Sequence, residues 1–217
     1  MIGPAEALLL FLRDPKPGRV KTRLIPLLGP EGAAAVYCRM ATAVIREVEG
    51  LRRPGLLRAA FVDPPGSLPA LGSWLGPSYR VLPQAAGDLG RRLAASFEWA
   101  FAEGALRAVA LGTDCLDLNA DLLAEALDAL ASSDAVVGPA ADGGYYLIGL
   151  ARPLAPRLGT VFGDVPWSTE QVKEVTLERL RELKAGVWVL PELRDLDTPE
   201  DYQALLPRWG KVLGERG

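Results

Sequence analysis

The sequence has 217 residues, a formal net charge of −3 and a pI of about 5.2. This balance argues against nucleic acid as the main partner, and no apolar run approaches the roughly 18 residues that a membrane-spanning helix needs. The chain contains no histidine, which excludes Ser-His-Asp triads, Cys-His dyads and histidine-based acid–base steps. Catalysis must therefore rest on carboxylates, cations, hydroxyls, backbone amides or a hard metal ion.

Short apolar segments alternate with longer helical patterns along the chain. The pattern predicts strands at residues 7–12, 57–62, 80–82, 108–112, 135–137, 145–150 and 187–190. It predicts helices at residues 30–49, 89–102, 120–131 and 169–183, with a last short helix from Pro199. This alternation indicates crossover connections and a largely parallel, doubly wound α/β sheet. The Gly-rich turn before residue 145 predicts one antiparallel hairpin within it, and the Pro- and Gly-rich residues 63–78 are interpreted as a surface excursion.

Three of the predicted helices carry capping signals. Ser168 with Gln171 three residues later matches a capping box. Asn119 can cap the helix that follows it, and Thr198 precedes a proline at a first helical position. No linker divides these elements, so residues 1–217 are expected to form a single domain.

The N-terminus and the cysteines bear on the cellular compartment. Residues 1–6 lack the basic region of a secretory signal peptide, so we expect a cytoplasmic protein. Cys38 and Cys115 are too few for a disulfide framework, and two reduced thiols in or near the core are expected. Two cysteines without histidine do not make a zinc site.

A basic loop follows the first predicted strand, where five cations fall within eleven residues: Arg13, Lys16, Arg19, Lys21 and Arg23. Ligands of open α/β sheets bind outside the carboxyl ends of the strands, so this loop is a candidate phosphate site. A solvated basic loop is the alternative, and the spacing of a Walker A motif is absent. Lys21 and Arg23 are the preferred phosphate contacts.

Two carboxylates follow predicted strands. Asp114 lies at the tip of strand 108–112, where a carboxylate can ligate Mg²⁺ or Mn²⁺, whereas Asp117 is interpreted as a turn and cap residue. Asp142 precedes two glycines, so it is either a turn residue or an active-site carboxylate. Gly143 and Gly144 would let the backbone approach a ligand closely.

Two further carboxylates lie near the C-terminus. Asp195 and Asp197 point the same way if their segment is extended, because side chains alternate along a strand. Such a pair is repulsive unless a cation lies between them, which favours a metal ion or an arginine nearby.

Taken in order, these segments resemble the DUF2064 or "transferase 1" family of the GT-A nucleotide-diphospho-sugar transferase superfamily. The matching residues are Pro15-Lys16-Pro17-Gly18-Arg19-Val20-Lys21-Thr22-Arg23-Leu24, Gly87-Asp88-Leu89-Gly90, Arg92, Gly112-Thr113-Asp114-Cys115, Gly138-Pro139, Asp142-Gly143-Gly144-Tyr145-Tyr146, Pro166-Trp167-Ser168-Thr169 and Asp195-Leu196-Asp197-Thr198-Pro199-Glu200-Asp201. The chain departs from the family pattern at Leu116, at Arg13-Asp14 and at Arg91, and none of these departures removes a proposed ligand.

The resemblance implies a GT-A fold, a Rossmann-like three-layer α/β/α sandwich with a mostly parallel mixed sheet. It implies that Asp114 and Asp197 hold Mg²⁺ or Mn²⁺ and that Lys21 and Arg23 neutralise a diphosphate or triphosphate. The remaining candidate nucleotide- and substrate-binding residues are Lys16, Gly18, Gln84, Arg92, Gly143, Gly144 and Trp167. The tryptophan is either a wall of the acceptor pocket or a buried side chain ahead of a helix.

The function expected from these residues is metal-dependent transfer from a nucleotide-activated donor. We prefer glycosyl transfer from a nucleotide sugar to a small acceptor, with Asp142 as the base toward an acceptor hydroxyl. The alternative is nucleotidyl transfer, in which a phosphorylated metabolite attacks an NTP and needs no base. A nucleotide-binding protein without turnover is the second alternative.

Overall fold

A computed structural model describes residues 5–214. Its strands are β1 (Glu6–Arg13), β2 (Leu57–Asp63), β3 (Arg80–Pro83), β4 (Arg107–Leu111), β5 (Ala135–Pro139), β6 (Tyr145–Ala151) and β7 (Val187–Val189). Its helices are α1 (Ile25–Gly50), α2 (Leu68–Leu75), α3 (Leu89–Ala102), α4 (Ala120–Ala129), α5 (Leu158–Phe162), α6 (Val172–Glu182) and α7 (Pro199–Leu213). The expected cytoplasmic location rests on residues 1–6, and residues 1–4 of that segment lie outside the described range. None of the helices between residues 5 and 214 is long and apolar enough to cross a membrane.

The seven strands form one sheet in the order β3-β2-β1-β4-β6-β5-β7. Strand β6 runs antiparallel to both of its neighbours, and every other pairing in the sheet is parallel. The predicted strands, the mostly parallel mixed sheet and the β5–β6 hairpin are therefore confirmed.

Strand β1 is buried on both faces of the sheet. Leu8, Leu10 and Leu12 pack into the cluster under α1, α2 and α4. Ala7 and Leu9 point the other way, into the cluster under α3, α5 and α6. Because successive side chains of a strand alternate between faces, one apolar segment joins both layers, and the result is an α/β/α sandwich.

Two of the three capping predictions are confirmed. The Asn119 side chain accepts a hydrogen bond from the Leu122 amide, 3.0 Å away, at the start of α4. At the start of α7 the Thr198 hydroxyl accepts from the Asp201 amide and the Asp201 carboxylate accepts from the Thr198 amide. This helix has 15 residues and is longer than predicted.

The predicted capping box at Ser168 is wrong. Ser168 has a φ of 66°, in the left-handed region, whereas an N-cap residue needs extended backbone for its side chain to reach the next turn. Helix α6 begins only at Val172, after Gln171, and no side chain caps it.

The interpretation of residues 63–78 as a surface excursion missed helix α2. Its one proline and one glycine lower the intrinsic helix propensity. Leu71 and Leu75 are nevertheless buried, so tertiary packing compensates for the sequence. Helix α5 was not predicted either, and its five residues are too few to show a period.

The strand order reverses at the carboxyl ends of β1 and β4. From β1 the chain passes through α1 to β2 on one side, and it later returns to β4 on the other side. Such a reversal of strand order is where open α/β sheets bind ligands, and we call this edge of the sheet the cleft. The segments that carry Lys21, Asp114 and Asp197 meet at this edge.

Candidate functional site

Three chain segments bring an ammonium and two carboxylates together. The Lys21 Nζ lies 2.5 Å from Asp114 Oδ1 and 2.7 Å from Asp197 Oδ1. Lys21 follows β1, Asp114 follows β4, and Asp197 precedes α7. The lysine side chain is only 4% exposed, whereas the two aspartates are 44% and 40% exposed. The Lys21 ammonium is thus enclosed, whereas the carboxylates of Asp114 and Asp197 are partly open to the cleft.

Local backbone strain helps to position Lys21. Its φ of 46° and ψ of 44° lie in the left-handed region, which costs a residue with a side chain about 1–3 kcal/mol. Val20 and Leu24 are buried on either side, and the Leu24 amide donates to the Lys21 carbonyl at 2.8 Å. These anchors fix the unusual conformation and hold the lysine side chain inside.

The segments that carry the two carboxylates are hydrogen-bonded to each other. The Leu196 amide donates to the Asp114 carbonyl at 2.9 Å, and the Leu196 side chain is fully buried. The capping box of Thr198 fixes the residue that follows Asp197. Asp114 and Asp197 are therefore held together by backbone contacts as well as by the shared lysine.

The electrostatics keep Lys21 charged. Burial opposes the charge of its ammonium, but the negative charges of Asp114 and Asp197 outweigh burial, and the pKa of Lys21 is raised. A lysine of this kind acts as a fixed positive charge and not as a base.

A second buried pair lies beside this cluster. The Asp195 carboxylate accepts a hydrogen bond from the Cys115 thiol. Burial raises the pKa of Asp195 to about 7; the thiol lowers it in part, and the nearby charges of Asp114, Asp142 and Asp197 raise it further. Burial also raises the pKa of the Cys115 thiol.

The sequence favoured a metal ion or an arginine near Asp195 and Asp197. In the structure the two carboxylates have separate partners, a thiol for Asp195 and the Lys21 ammonium for Asp197. Both cysteines are free thiols, as predicted.

The donor set at the cleft fits a hard divalent cation only in part. Among residues 5–214, no group of three or more acidic, cysteine or histidine side chains is arranged to hold a metal ion. Mg²⁺ is nevertheless commonly bound by one or two carboxylates together with substrate phosphates. Asp114 and Asp197 already converge on one cation, and both are partly exposed. They fit the protein's share of such a site.

Asp142 and its glycines form the turn between β5 and β6. The Asp142 carboxylate is exposed, and one of its oxygens accepts from the Gly144 amide at 2.8 Å. Gly143 has a φ of 87°, and a Cβ there would lie 2.2 Å from the Glu170 carbonyl oxygen. Gly143 therefore lets the β5–β6 turn pack closely against the backbone of the segment before α6.

The Trp167 side chain lies against the start of α3. A Cβ on Gly90 would lie 2.8 Å from the indole Nε1, so the glycine allows the ring to pack on the helix backbone. The ring also meets Tyr145 edge to face, with centroids 6.3 Å apart. The buried indole N–H has no hydrogen-bond partner among the described residues. Trp167 thus packs as a half-buried side chain ahead of a helix.

Gln84 and Arg92 are joined to each other on the other side of β1. The Gln84 amide donates to the carbonyls of Leu12 and Phe61, at the ends of β1 and β2. Arg92 donates to the Gln84 side-chain oxygen at 3.0 Å and pairs with Asp63 at 3.3 Å. This pair borders the cleft from the β2 side, separately from the lysine cluster.

The basic loop divides into enclosed and exposed cations. Lys21 is enclosed, whereas Arg23 is exposed on the following turn. Lys16 pairs with Asp14 at 2.9 Å and stays 61% exposed. Gly18 has a φ of 79° and is exposed, so its conformation supports the turn.

No pattern in the sequence indicated Tyr37, Asp63 or Cys115 as residues near the site. The Tyr37 hydroxyl is buried at the end of β1 and accepts from the Arg13 amide at 2.7 Å. These contacts join residues far apart in the chain, and no local pattern indicates them.

The comparisons with known proteins agree with this architecture. Residues 49–169 match the family model described as "Uncharacterized protein conserved in bacteria (DUF2064)". No curated protein matches the chain. A solved structure from Desulfovibrio desulfuricans G20, named as a candidate nucleotide-diphospho-sugar transferase, is 31% identical with a TM-score of 0.85, and the match covers 96% of each chain.

Two more distant structures share the fold alone. A cytidylyltransferase from Leptospira borgpetersenii serovar Hardjo-bovis is 16% identical with a TM-score of 0.62, and the match covers 95% of this chain and 87% of that one. The manganese complex of Rv0371c from Mycobacterium tuberculosis H37Rv is 18% identical with a TM-score of 0.54, over 94% and 98% of the two chains.

Proposed function

For this chain, which belongs to the DUF2064 family, we propose metal-dependent glycosyl transfer from a nucleotide sugar to a small acceptor. The chain is an enzyme of the transferase class that uses a nucleotide substrate; the 31% identical relative named for nucleotide-diphospho-sugar transfer and the shared fold support this coarser assignment. The dependence on a metal ion, the nucleotide sugar as donor and the small acceptor are the parts that we propose.

One observation carries the proposal. Asp114 and Asp197 converge on a single cation at the point where the strand order reverses. A nucleotide diphosphate bound there needs its negative charge neutralised, and the chain offers no histidine for this chemistry. A hard cation held by two carboxylates, together with an ammonium that stays charged, meets that need.

The chain's own residues have distinct tasks in this transfer. Asp114 and Asp197 would hold Mg²⁺ or Mn²⁺, which supplies Lewis-acid stabilisation of the diphosphate when bound. Lys21 stays charged and stabilises the negative charge that develops on the leaving group, with Arg23 on the next turn as a further phosphate contact. Asp142, exposed at the β5–β6 turn, accepts the proton of the acceptor hydroxyl.

Nucleotidyl transfer is the second candidate, and the Asp142 contact favours it. One oxygen of Asp142 accepts from the Gly144 amide, so the turn accounts for this aspartate without a catalytic role. A phosphorylated acceptor attacking an NTP is already an anion and needs no base.

Thermal-shift measurements with nucleotides and nucleotide sugars, with and without Mn²⁺, test the proposal. A ligand that binds only the native state raises Tm, so we expect a nucleotide shift that grows when Mn²⁺ is present. If no nucleotide raises Tm in either condition, the proposal fails. Mass spectrometry of the products then separates the two candidates, because glycosyl transfer releases a nucleoside diphosphate and nucleotidyl transfer from an NTP releases pyrophosphate.

A further inference from the structure

The Lys21 ammonium lies between the two carboxylates proposed to hold the metal ion. Its nitrogen contacts Asp114 Oδ1 and Asp197 Oδ1 at 2.5 and 2.7 Å. The side chain is enclosed, with 4% of its surface exposed. The same two side chains thus serve as counter-ions for the lysine and as the candidate ligands of a divalent cation.

An ammonium and a divalent cation on the same carboxylates repel each other strongly in so enclosed a place. Moving the ammonium away has its own cost, because an enclosed charge that loses its partners is left uncompensated. Binding of a metal ion without a nucleotide is therefore opposed by the repulsion between the two cations, or by the cost of removing the ammonium from its partners. A metal ion that arrives with a nucleotide brings phosphate oxygens that can receive the displaced ammonium.

We propose that Lys21 is a resident counter-ion that couples metal binding to nucleotide binding, so that the site takes a divalent cation and a nucleoside diphosphate or triphosphate together and the metal alone only weakly. This inference rests on the proposed function. The lysine backbone stays anchored by Val20 and Leu24. The four-carbon stem moves the ammonium from the carboxylates to the phosphate.

The test measures Mn²⁺ binding without nucleotide, from the electron paramagnetic resonance signal of free Mn²⁺. The proteins are the wild type, Lys21→Met and Arg13→Met. The control Arg13→Met removes one positive charge from an exposed residue at the end of β1. We expect Lys21→Met to bind Mn²⁺ about tenfold more tightly than the wild type, within the usual range of coupling between sites. Arg13→Met should stay within about twofold, since an exposed charge is screened.

Inorganic pyrophosphate then serves as the probe for the phosphate half of the coupling. Pyrophosphate itself binds Mn²⁺, so the same titration without protein is subtracted. In the wild type the probe should then tighten Mn²⁺ binding to the protein by about 5–150-fold. In Lys21→Met this enhancement should be several-fold smaller, because no ammonium is released. Equal Mn²⁺ affinity of Lys21→Met and the wild type, or equal tightening in Lys21→Met and Arg13→Met, overturns the inference.

A measurement on the wild type covers the case in which Lys21→Met does not fold. The ¹⁵N signal of the Lys21 ammonium is followed while Mg²⁺ and pyrophosphate are added separately and together. We expect a large change only when both are present. An unchanged signal while the pair raises Tm contradicts displacement of the lysine. Absence of any nucleotide-induced rise in Tm counts against the proposed transferase instead, so the two failures are distinguishable.

Discussion

The two ends of the central strands carry charge clusters of different composition. At the amino end, Glu6 accepts from Arg53 at 3.0 Å and from Arg107 at 3.4 Å. Arg53 also pairs with Asp128 at 2.6 Å. Two acidic and two basic side chains therefore satisfy one another, and this cluster is complete without a ligand.

At the carboxyl end, the cluster around Lys21 has more acidic than basic side chains. Its one ammonium contacts two carboxylates, those of Asp114 and Asp197, and the carboxylate of Asp195 lies near both of them. A balanced cluster holds strands and helices together, whereas an acidic excess at a ligand-binding edge leaves negative charge that an added cation can neutralise. The same kinds of side chain thus have different tasks at the two ends.

Neutralising Asp114, in the cluster around Lys21, should give the largest effect on ligand binding. Asp114→Asn should weaken Mn²⁺-dependent nucleotide binding by about 100-fold or more, because a charged partner in an enclosed contact is lost. The fold should stay intact, since Asp197 still pairs with Lys21. Isothermal titration calorimetry with and without Mn²⁺ measures the change.

Asp117→Asn is the matched control for that prediction. Asp117 accepts a hydrogen bond from the Trp209 indole at 3.0 Å and pairs with Arg208 at 2.8 Å. Its partners therefore belong to helix α7 and not to the lysine cluster. The control should lower Tm without changing the Mn²⁺ dependence. Unchanged Mn²⁺ dependence in Asp114→Asn itself would remove this residue from the site.

Neutralising Glu6 at the balanced end should instead reduce stability. Glu6→Gln leaves Arg53 and Arg107 without their shared carboxylate, and hydrogen bonds to charged groups contribute about 1.5–3 kcal/mol. Thermal unfolding should show Tm falling by about 2–4 °C for each kcal/mol in a chain of this size. Nucleotide affinity should stay unchanged below Tm. A clear loss of affinity would mean that the two ends are not separate in function.

The smallest effect is expected at Asp14, because the side chain of its partner Lys16 is 61% exposed. The hydrogen bonds from Lys16 and Ser67 lower the pKa of Asp14. A carboxyl group with a lowered folded-state pKa adds stability above its unfolded-state pKa of about 3.9, and this stability disappears as the pH falls through the folded-state value. Asp14→Asn should therefore cost less than about 1 kcal/mol at pH 7, and progressively less as the pH falls through the folded-state pKa.

Unfolding of the wild type and of Asp14→Asn across pH 2–7 measures this difference. A cost that is as large at pH 2 as at pH 7 would show that Asp14 acts through packing and not through its charge.

Much of the fold was predictable because the strands are short apolar runs with clear boundaries. Strand β1 shows this best, since its apolar residues continue without interruption from Ala7 until Arg13. The error at Ser168 came from its left-handed backbone, which no local pattern shows. Helix α2 was missed because burial of Leu71 and Leu75 compensates for poor helix propensity.

The candidate site was predictable in its members but not in its contacts. The sequence placed Lys21 and Asp114 after predicted strands, and the family resemblance implied Asp197 as a second ligand beside Asp114. The structure brings the three together. Their individual roles stay predictions. The pairing of the lysine with both carboxylates depends on tertiary geometry, and so does the Cys115–Asp195 contact.

The contact between Lys21 and Asp197 spans 176 positions of the chain. Closing so long a loop has an entropic cost that is recovered only when the final segment docks. During synthesis the segments of Lys21 and Asp114 leave the ribosome well before Asp197, and domains fold from the N-terminal side first. The cluster of Lys21, Asp114 and Asp197 therefore cannot be complete in a nascent chain until the segment before α7 has been made.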